Sequence, residues 1–115
     1  MGSYLMRSNN DDSLLVGDLH LTLQGLTGLD RAADLYIVIE IDSYGHYFRK
    51  ATTKMICRSI SPVWNESFVL ELEGSQNVRV ILYEDTTARP IMRAKHVLKV
   101  TKLLQISVSK MCAKY

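Results

Sequence analysis

The stretch SPVWNESF, residues Ser61 to Phe68, decides how the rest of this 115-residue sequence is interpreted. Its proline favours a turn, and its last residue opens a segment, FVLELE, that alternates like a half-buried strand. The only tryptophan of the chain, Trp64, therefore lies between a turn and a strand. An indole ring buries a large apolar area when it faces a core. We predict that Trp64 is buried and that Asn65 and Glu66 satisfy backbone groups where the strand begins.

The same alternation recurs along the chain and predicts most of its strands. Leu19, Leu21 and Leu23 alternate with polar residues, and residues 35–41 place three isoleucines on one face. Residues 46–57 predict a third strand with two different faces. Its inner face carries Ala51, Thr53, Met55 and Cys57, and its outer face carries Lys50, Lys54 and Arg58.

Further strands are predicted over residues 68–73, 78–82, 94–100 and 105–111, with a short turn or helical piece before the last of them. Turn signals separate these segments, and no long helix is predicted. The pattern therefore predicts an all-β, antiparallel β-sandwich of about eight strands, or seven at the fewest.

The composition is that of a single soluble domain. Apolar residues make up 47% of the chain, and no apolar run approaches the ~18 residues that a membrane span needs. Residues 1–13 are polar and patternless, so we expect a flexible leader followed by one folded domain over residues 14–115. Cys57 and Cys112 lack zinc-binding spacing, which favours free thiols in a reducing, cytoplasmic compartment.

The bases are unevenly distributed, although the net charge is only +2. Residues 46–60 and 89–102 contain bases and no acid, which predicts one positive face. Each Lys or Arg near an anionic membrane contributes about 1 kcal/mol, so such a face would hold a peripheral domain weakly. The alternative is a solvated edge whose lysines keep sheets from aggregating. The residues expected to contact lipid are Arg49, Lys50, Lys54, Arg58, Arg93 and Lys95.

Four segments resemble the C2 domain family, in family order and at family spacing. They are LHLTLQGLTGL, DLYIVIEI, TKMICRSISPVWNESFVLEL and VRVILYEDT, and they lie within roughly residues 18–110. The third is the most specific: Pro62, Trp64, Asn65, Glu66 and Phe68 match the family motif, and Ser61 departs from it. The resemblance implies a C2-type Greek-key β-sandwich in which the family's long connection and seventh strand are shortened or absent.

Two shorter segments, ELEGSQNVRVILYE and MRAKHVLKV, are most similar to the C2 domains of Rho GTPase-activating proteins. Both the breakpoint-cluster-region type and the synapse-defective type show this similarity. The resemblance implies that the basic strand face serves to bind phosphoinositide or phosphatidylserine head groups.

The resemblance also implies where calcium would bind, and the acids needed there are mostly missing. Calcium prefers six to eight oxygen ligands, and calcium-binding members gather about five acids from two loops. Here only Asp30, Asp34 and Glu84 match those positions, and Arg31 and Arg89 lie in the same loops. We therefore expect neither calcium nor any other cofactor. We expect these degenerate positions to cap loops or to pair with the arginines.

Catalytic and nucleic-acid functions are poorly supported by the residues. Cys57 is a candidate nucleophile but is predicted to be a core thiol, and the three histidines show no metal-ligand spacing. An isoelectric point of about 8.6 without a recognition motif gives little support for nucleic acid. We expect no enzymatic activity and no nucleic-acid partner.

These observations predict a non-catalytic targeting module of a larger cytoplasmic signalling protein, located at the membrane periphery. Its expected partner is anionic phospholipid, bound without calcium through the basic strand face. The alternative is a protein-interaction or intramolecular scaffold domain that orients a neighbouring GTPase-activating domain without binding lipid.

Overall fold

Most of the strands predicted from alternating apolar and polar residues are present in the computed structural model. The structure describes residues 14–103 and the backbone of residues 111–114. These residues form eight strands and one short helix. In chain order they are β1 (Leu15–Gly25), β2 (Ala33–Ser43), β3 (His46–Thr52), β4 (Ile56–Ser59), β5 (Val63–Ser75), β6 (Asn77–Glu84), β7 (Ile91–Lys99), α1 (Val100–Leu103) and β8 (Met111–Lys114). No helix among these residues is long and apolar enough to span a membrane.

The strands form two antiparallel sheets with the core between them. One sheet has three strands in the order β5–β1–β8. The other has five, in the order β3–β2–β6–β7, with β4 also paired to β2. The prediction of an all-β antiparallel sandwich is therefore confirmed. The predicted leader lies outside the described residues, as does the predicted strand over 105–111 except for Met111, which begins β8.

The core is built from the inward-facing residues of β1, β2, β5 and β6 and the start of α1. It includes the residues that alternation predicts in β1, β2, β5 and β6, namely Leu19, Leu21, Leu23, Ile37, Ile39, Ile41, Leu70, Leu72, Val78 and Leu82. Burying one such aliphatic side chain contributes about 1.5–3 kcal/mol. The apolar contacts between the two sheets therefore supply the main stabilisation of the fold.

Two apolar residues are buried on the opposite side of the five-stranded sheet, away from this core. Val38 and Ile81 are direct partners across β2 and β6, and they are 0% and 4% exposed. They alternate with the core residues and belong to no part of the core cluster. Their cross-strand neighbours at the edges are Thr52 and Lys95. Neighbouring side chains therefore cover Val38 and Ile81 on this outer face. The aliphatic stems of long charged residues can provide such cover.

The single strand predicted over residues 46–57 is two strands, because the chain leaves the sheet between β3 and β4. Thr53 causes the break. Its N–H donates to the Ile37 carbonyl at 2.9 Å, and its hydroxyl Oγ1 accepts the Ile37 N–H at 2.9 Å. A side-chain oxygen thus replaces the backbone carbonyl that the next ladder bond would use. Cys57, predicted to face the core, is exposed, because alternation does not continue across this break.

The peptide of Lys54 then turns towards β5, where two residues of the opening motif hold it. The indole Nε1–H of Trp64 donates to the Lys54 carbonyl at 2.9 Å, and the Lys54 N–H donates to Glu66 Oε2 at 2.9 Å. Trp64 is 2% exposed, which confirms its predicted burial. Asn65 lies between them with a left-handed φ of 50°, a conformation that Asn tolerates better than most residues. We name this pair of hydrogen bonds the Lys54 clamp.

Removing the indole ring of Trp64 should be one of the most destabilising single substitutions in the chain. Trp64→Ala removes a buried aromatic side chain and one of the two clamp bonds, so we expect a loss of about 3–5 kcal/mol in the free energy of unfolding. Val63→Ala, one residue away and 57% exposed, is the matched control and should change it by less than about 0.5 kcal/mol. Urea denaturation followed by circular dichroism measures both, and equal losses would contradict the role given to the ring.

Candidate functional site

The first basic cluster lies along the β3–β4 edge of the five-stranded sheet. Arg49 pairs with Glu40 and Ala51 pairs with Ile39, which leaves Lys50 as the extra residue of a β-bulge. In a bulge two residues oppose one, so Arg49 and Lys50 both lie beside Glu40. Both bases are exposed to solvent.

Two more bases follow along the same edge. Lys54 is exposed, although its own peptide is fixed by the Lys54 clamp. Arg58 has a left-handed φ of 49°, and its N–H donates to Asp34 Oδ1 at 2.8 Å. Since β3 and β4 pair with successive parts of β2, the four bases follow the same edge of the sheet, with Lys54 in the break between the two strands. We name Arg49, Lys50, Lys54 and Arg58 the basic edge.

This arrangement corrects the predicted geometry of the cluster. Lys50, Lys54 and Arg58 do not stand on one side of a single extended strand. The bulge at Lys50, the break at residues 53–55 and the left-handed turn at Arg58 each interrupt the alternation. The structure still places all three on the same flank of the sandwich, because both short strands pair with β2.

The second basic cluster lies on the opposite edge of the same sheet, in β7. Lys95 is paired with Ile81 and is exposed. Arg93 falls at a register shift, and its Nη1 lies 3.1 Å from Glu84 Oε1. Strands β2 and β6 separate the two edges, a gap of about 14 Å at ordinary strand spacing. Arg93 and Lys95 therefore do not simply extend the basic edge, as the alternation of their segment predicted.

Between the two basic clusters, charged and aromatic side chains pair across the outer face. Arg79 lies 2.6 Å from Glu40 Oε1 and 3.9 Å from the ring centre of Tyr47. Burial raises the pKa of Tyr47 above its usual value, and the nearby carboxylate of Asp42 adds to that rise. Sequence reasoning missed these residues. Alternation with Val78 places Arg79 on the outer face, but no sequence pattern gives its register against Glu40.

The rings of Tyr36 and Tyr83 form a second cross-strand pair on the outer face. Their centres lie 5.5 Å apart in a stacked arrangement, on directly opposed positions of β2 and β6. Such a pair contributes about 0.5–1.5 kcal/mol beyond the area that it buries. The middle of the outer face is therefore fixed by internal pairs, and its exposed bases lie mainly at the rims.

At one end of the sandwich, an arginine joins the loop after β1 to the end of β6. Arg31 Nη2 and Nη1 lie 2.8 and 3.1 Å from the two carboxylate oxygens of Glu84, a bidentate pair. The same carboxylate receives Arg93, and its side chain is only 12% exposed. Hydrogen bonding by Arg31 holds the pKa of Glu84 below its usual value, and the two positive charges act in the same direction. We name Arg31, Glu84 and Arg93 the arginine–glutamate cluster.

The other acids predicted for a degenerate calcium site have separate surroundings. Asp34 accepts the Arg58 N–H, so it caps a backbone group as expected. Asp30 is exposed in the loop before β2. Arg89 is a predicted partner of these acids. In the structure its backbone bonds to Thr86 in the β6–β7 loop: the Thr86 hydroxyl donates to the Arg89 carbonyl at 2.7 Å and accepts the Arg89 N–H at 3.1 Å. Among the described residues, no group of three or more His, Cys, Asp or Glu side chains could hold a metal ion.

Comparison with known proteins agrees with this architecture. The sequence model of the C2 domain family matches residues 11–110. The chain is 37% identical over 78 residues to the breakpoint cluster region protein of Mus musculus, which covers 68% of this chain and 6% of the mouse protein. It is 36% identical over 78 residues to the active breakpoint cluster region-related protein of Xenopus tropicalis, with 68% and 9% covered. The chain thus spans less than a tenth of these relatives.

Solved structures show the same fold at lower identity. A C2 domain of plant extended synaptotagmin 1 superimposes with a TM-score of 0.64 at 20% identity, over 76% of this chain and 71% of that domain. At this identity the likeness concerns the fold. It places the two sheets described above in a recognised architecture, and the curated relatives confirm the predicted similarity to the breakpoint-cluster-region type.

The arginine–glutamate cluster should make stability depend on acid in a definite direction. Because the folded-state pKa of Glu84 is lowered, its contribution is present above the ordinary glutamate pKa of about 4.3 and is lost as pH falls through the lower folded value. Wild type should therefore melt above Glu84→Gln near neutral pH, and the difference should shrink towards about pH 3. Thermal unfolding across that range measures it, with Glu71→Gln, an exposed carboxylate on β5, as control. A Glu84→Gln difference that stays constant on acidification would contradict the pairing.

Proposed function

The chain belongs to the C2 domain family, and from this premise we propose that it docks to anionic phospholipid without calcium, through the basic edge. It acts as a non-catalytic targeting module of a larger cytoplasmic protein of the breakpoint-cluster-region type, at the membrane periphery. The observation that carries the proposal is the exposed run of four bases on one sheet edge, in a stretch from residue 44 to residue 65 that contains no acid.

The charges of the basic edge are available to an external anion. Among the described residues, no ion pair involves Arg49, Lys50, Lys54 or Arg58, whereas Arg31, Arg79 and Arg93 are held by internal carboxylates. At about 1 kcal/mol each, four bases supply about 4 kcal/mol of attraction to an anionic surface. That corresponds to a dissociation constant of about 1 mM, so the domain would assist the targeting of a larger protein rather than anchor it alone.

The second basic cluster supports the proposal less strongly. Lys95 is exposed on the β7 edge and adds to the positive field over the outer face. Arg93 belongs to the arginine–glutamate cluster, where Glu84 offsets its charge. We therefore assign the main contact to the basic edge and a secondary, longer-range contribution to Lys95.

Calcium independence is supported by the arginine–glutamate cluster. Calcium needs several carboxylate oxygens at one place. Here Glu84 already receives two guanidinium groups, and Asp34 accepts a backbone N–H. The guanidinium of Arg31 joins the loop after β1 to β6, which is the kind of link that a bound cation between loops would otherwise supply. A divalent ion would have to displace or approach two fixed positive charges, which is unfavourable.

Lipid docking should show in sedimentation with phosphatidylserine-containing vesicles at low salt. We expect binding that falls as ionic strength rises towards about 0.15 M and that drops at least about fivefold for Lys50→Glu with Lys54→Glu. For a matched comparison, Lys50→Glu alone should weaken binding more than Lys102→Glu, an exposed base in α1 away from the basic edge. Absence of vesicle binding at low salt would reject the proposal and favour the scaffold role.

Calcium itself should leave the domain unchanged. We expect the melting temperature to stay constant within error when millimolar calcium is added, because a ligand that binds only the folded state must stabilise it. Differential scanning fluorimetry with and without a chelator measures this. A rise of several degrees would contradict the calcium-free account.

A further inference from the structure

Strand β7 presents an open sheet edge with unusual exposure. Among the described residues β6 is its only strand partner, so within this part of the chain one side of the β7 backbone has no neighbouring strand. Every residue from 91 to 97 is exposed, including Met92 at 53% and Val97 at 49%. Such an edge carries N–H and C=O groups spaced to pair with another extended chain.

The opposite edge of the same sheet is interrupted, and β7 is not. The β3–β4 edge contains the bulge at Lys50 and the break at residues 53–55. By contrast, β7 pairs regularly with β6 from Ala94 to Lys99, with its one register shift near the start of the strand. Bulges and short strands are ordinary means of protecting an edge. The β7 edge has neither over its regular part, and its protecting charge is a base, Lys95, which repels a like-charged strand and not an acidic one.

The charge around β7 limits what can pair with it. No Asp or Glu occurs after Asp85, whereas the remaining thirty residues contain seven Lys and Arg residues. A second copy of β7 laid antiparallel to the first would bring like charges together, which is destabilising. An extended segment with carboxylates would instead place opposite charges across the new pair.

The register of β7 defines the pattern that such a segment needs. Lys95 and Val97 share the outer face with Ile81 and Arg79, whereas Ala94 and His96 share the inner side with Leu82 and Val80. An added strand therefore fits best with acidic residues on the face of Lys95 and apolar residues on the face of Ala94. Directly opposed side chains in such a pair lie about 5 Å apart, close enough for both contacts.

We propose that the β7 edge binds an extended acidic protein segment, with alternating acidic and apolar residues, as an added antiparallel strand. The main lipid contact proposed above lies at the opposite edge of the sheet, and the two interactions share only the secondary contribution of Lys95. It uses backbone hydrogen bonds for affinity and the alternation of side chains for selection.

The test uses the whole chain, without vesicles, and a fluorescent peptide in which Glu and Val alternate. A second peptide of equal charge carries Pro in place of Val, which cannot pair along a strand. We expect anisotropy to show binding of the first peptide only, with Lys95→Gln weakening it by up to about fivefold and Lys102→Gln leaving it unchanged. In NMR spectra of the labelled protein, amide signals of residues 92–98 should shift, and their hydrogen exchange should slow.

Three results would overturn the proposal. The first is the absence of binding at low salt. The second is equal binding of the two peptides, which would show charge attraction without strand pairing. The third is a different origin of the amide shifts: either they centre on the β3–β4 edge, or they arise from a concentration-dependent dimer of the protein alone.

Discussion

The backbone N–H and C=O of Lys54 are held by the side chains of Glu66 and Trp64, and the path of the chain between β3 and β4 depends on these two bonds. The indole donates to its carbonyl and the carboxylate accepts its N–H. Thr53 ends β3 through its bonds to Ile37, and beyond that break the Lys54 bonds hold the chain against β5 of the other sheet. The break separates β3 from β4, and the four bases lie along the edge that these two strands form. A buried aromatic ring that stabilises the core thereby also positions the surface charges.

The two groups of positive charge in this domain have different roles because their surroundings differ. At one end of the sandwich, Arg31 and Arg93 share the Glu84 carboxylate, so their charge is offset within the protein and the loop after β1 is joined to the end of β6. On the outer face, Arg79 is likewise held by Glu40 and Tyr47. No ion pair among the described residues involves the bases of the basic edge, although Arg49 and Lys50 lie beside Glu40. Whether a base can interact with a partner thus depends on whether an internal carboxylate already holds it, and less on how many bases lie nearby.

Much of the fold follows from alternation that can be read in the sequence. The isoleucines of β2 face the core as predicted. Trp64 is also buried as predicted, because its indole ring has a large apolar area that the core removes from water. The break at Thr53 could not be predicted, because its neighbours continue the apolar and polar alternation across it. What stops the strand is a hydroxyl that bonds to Ile37, a residue of another strand.

The site was less predictable than the fold for the same physical reason. Alternation gives the face of a residue but not its register against the next strand. Arg31 could be expected to pair with Glu84, because the loops that carry them belong to the same end of the resembled fold. The sequence predicts only that the acids of this end pair with Arg31 or Arg89. Glu84 also receives Arg93, which lies at a register shift in β7. Lys54 remains a predicted lipid contact, but its position depends on the clamp and not on strand periodicity.

We propose that the basic edge meets the membrane, and not the end of the sandwich that carries the arginine–glutamate cluster. Amide signals of the isotope-labelled domain, recorded with lipid nanodiscs that contain phosphatidylserine and without calcium, distinguish these two surfaces. We expect the signals of residues 49–58 to shift and broaden most, with a smaller effect near Lys95. Perturbation confined to residues 29–31 and 89–91, or appearing only when calcium is added, would contradict it.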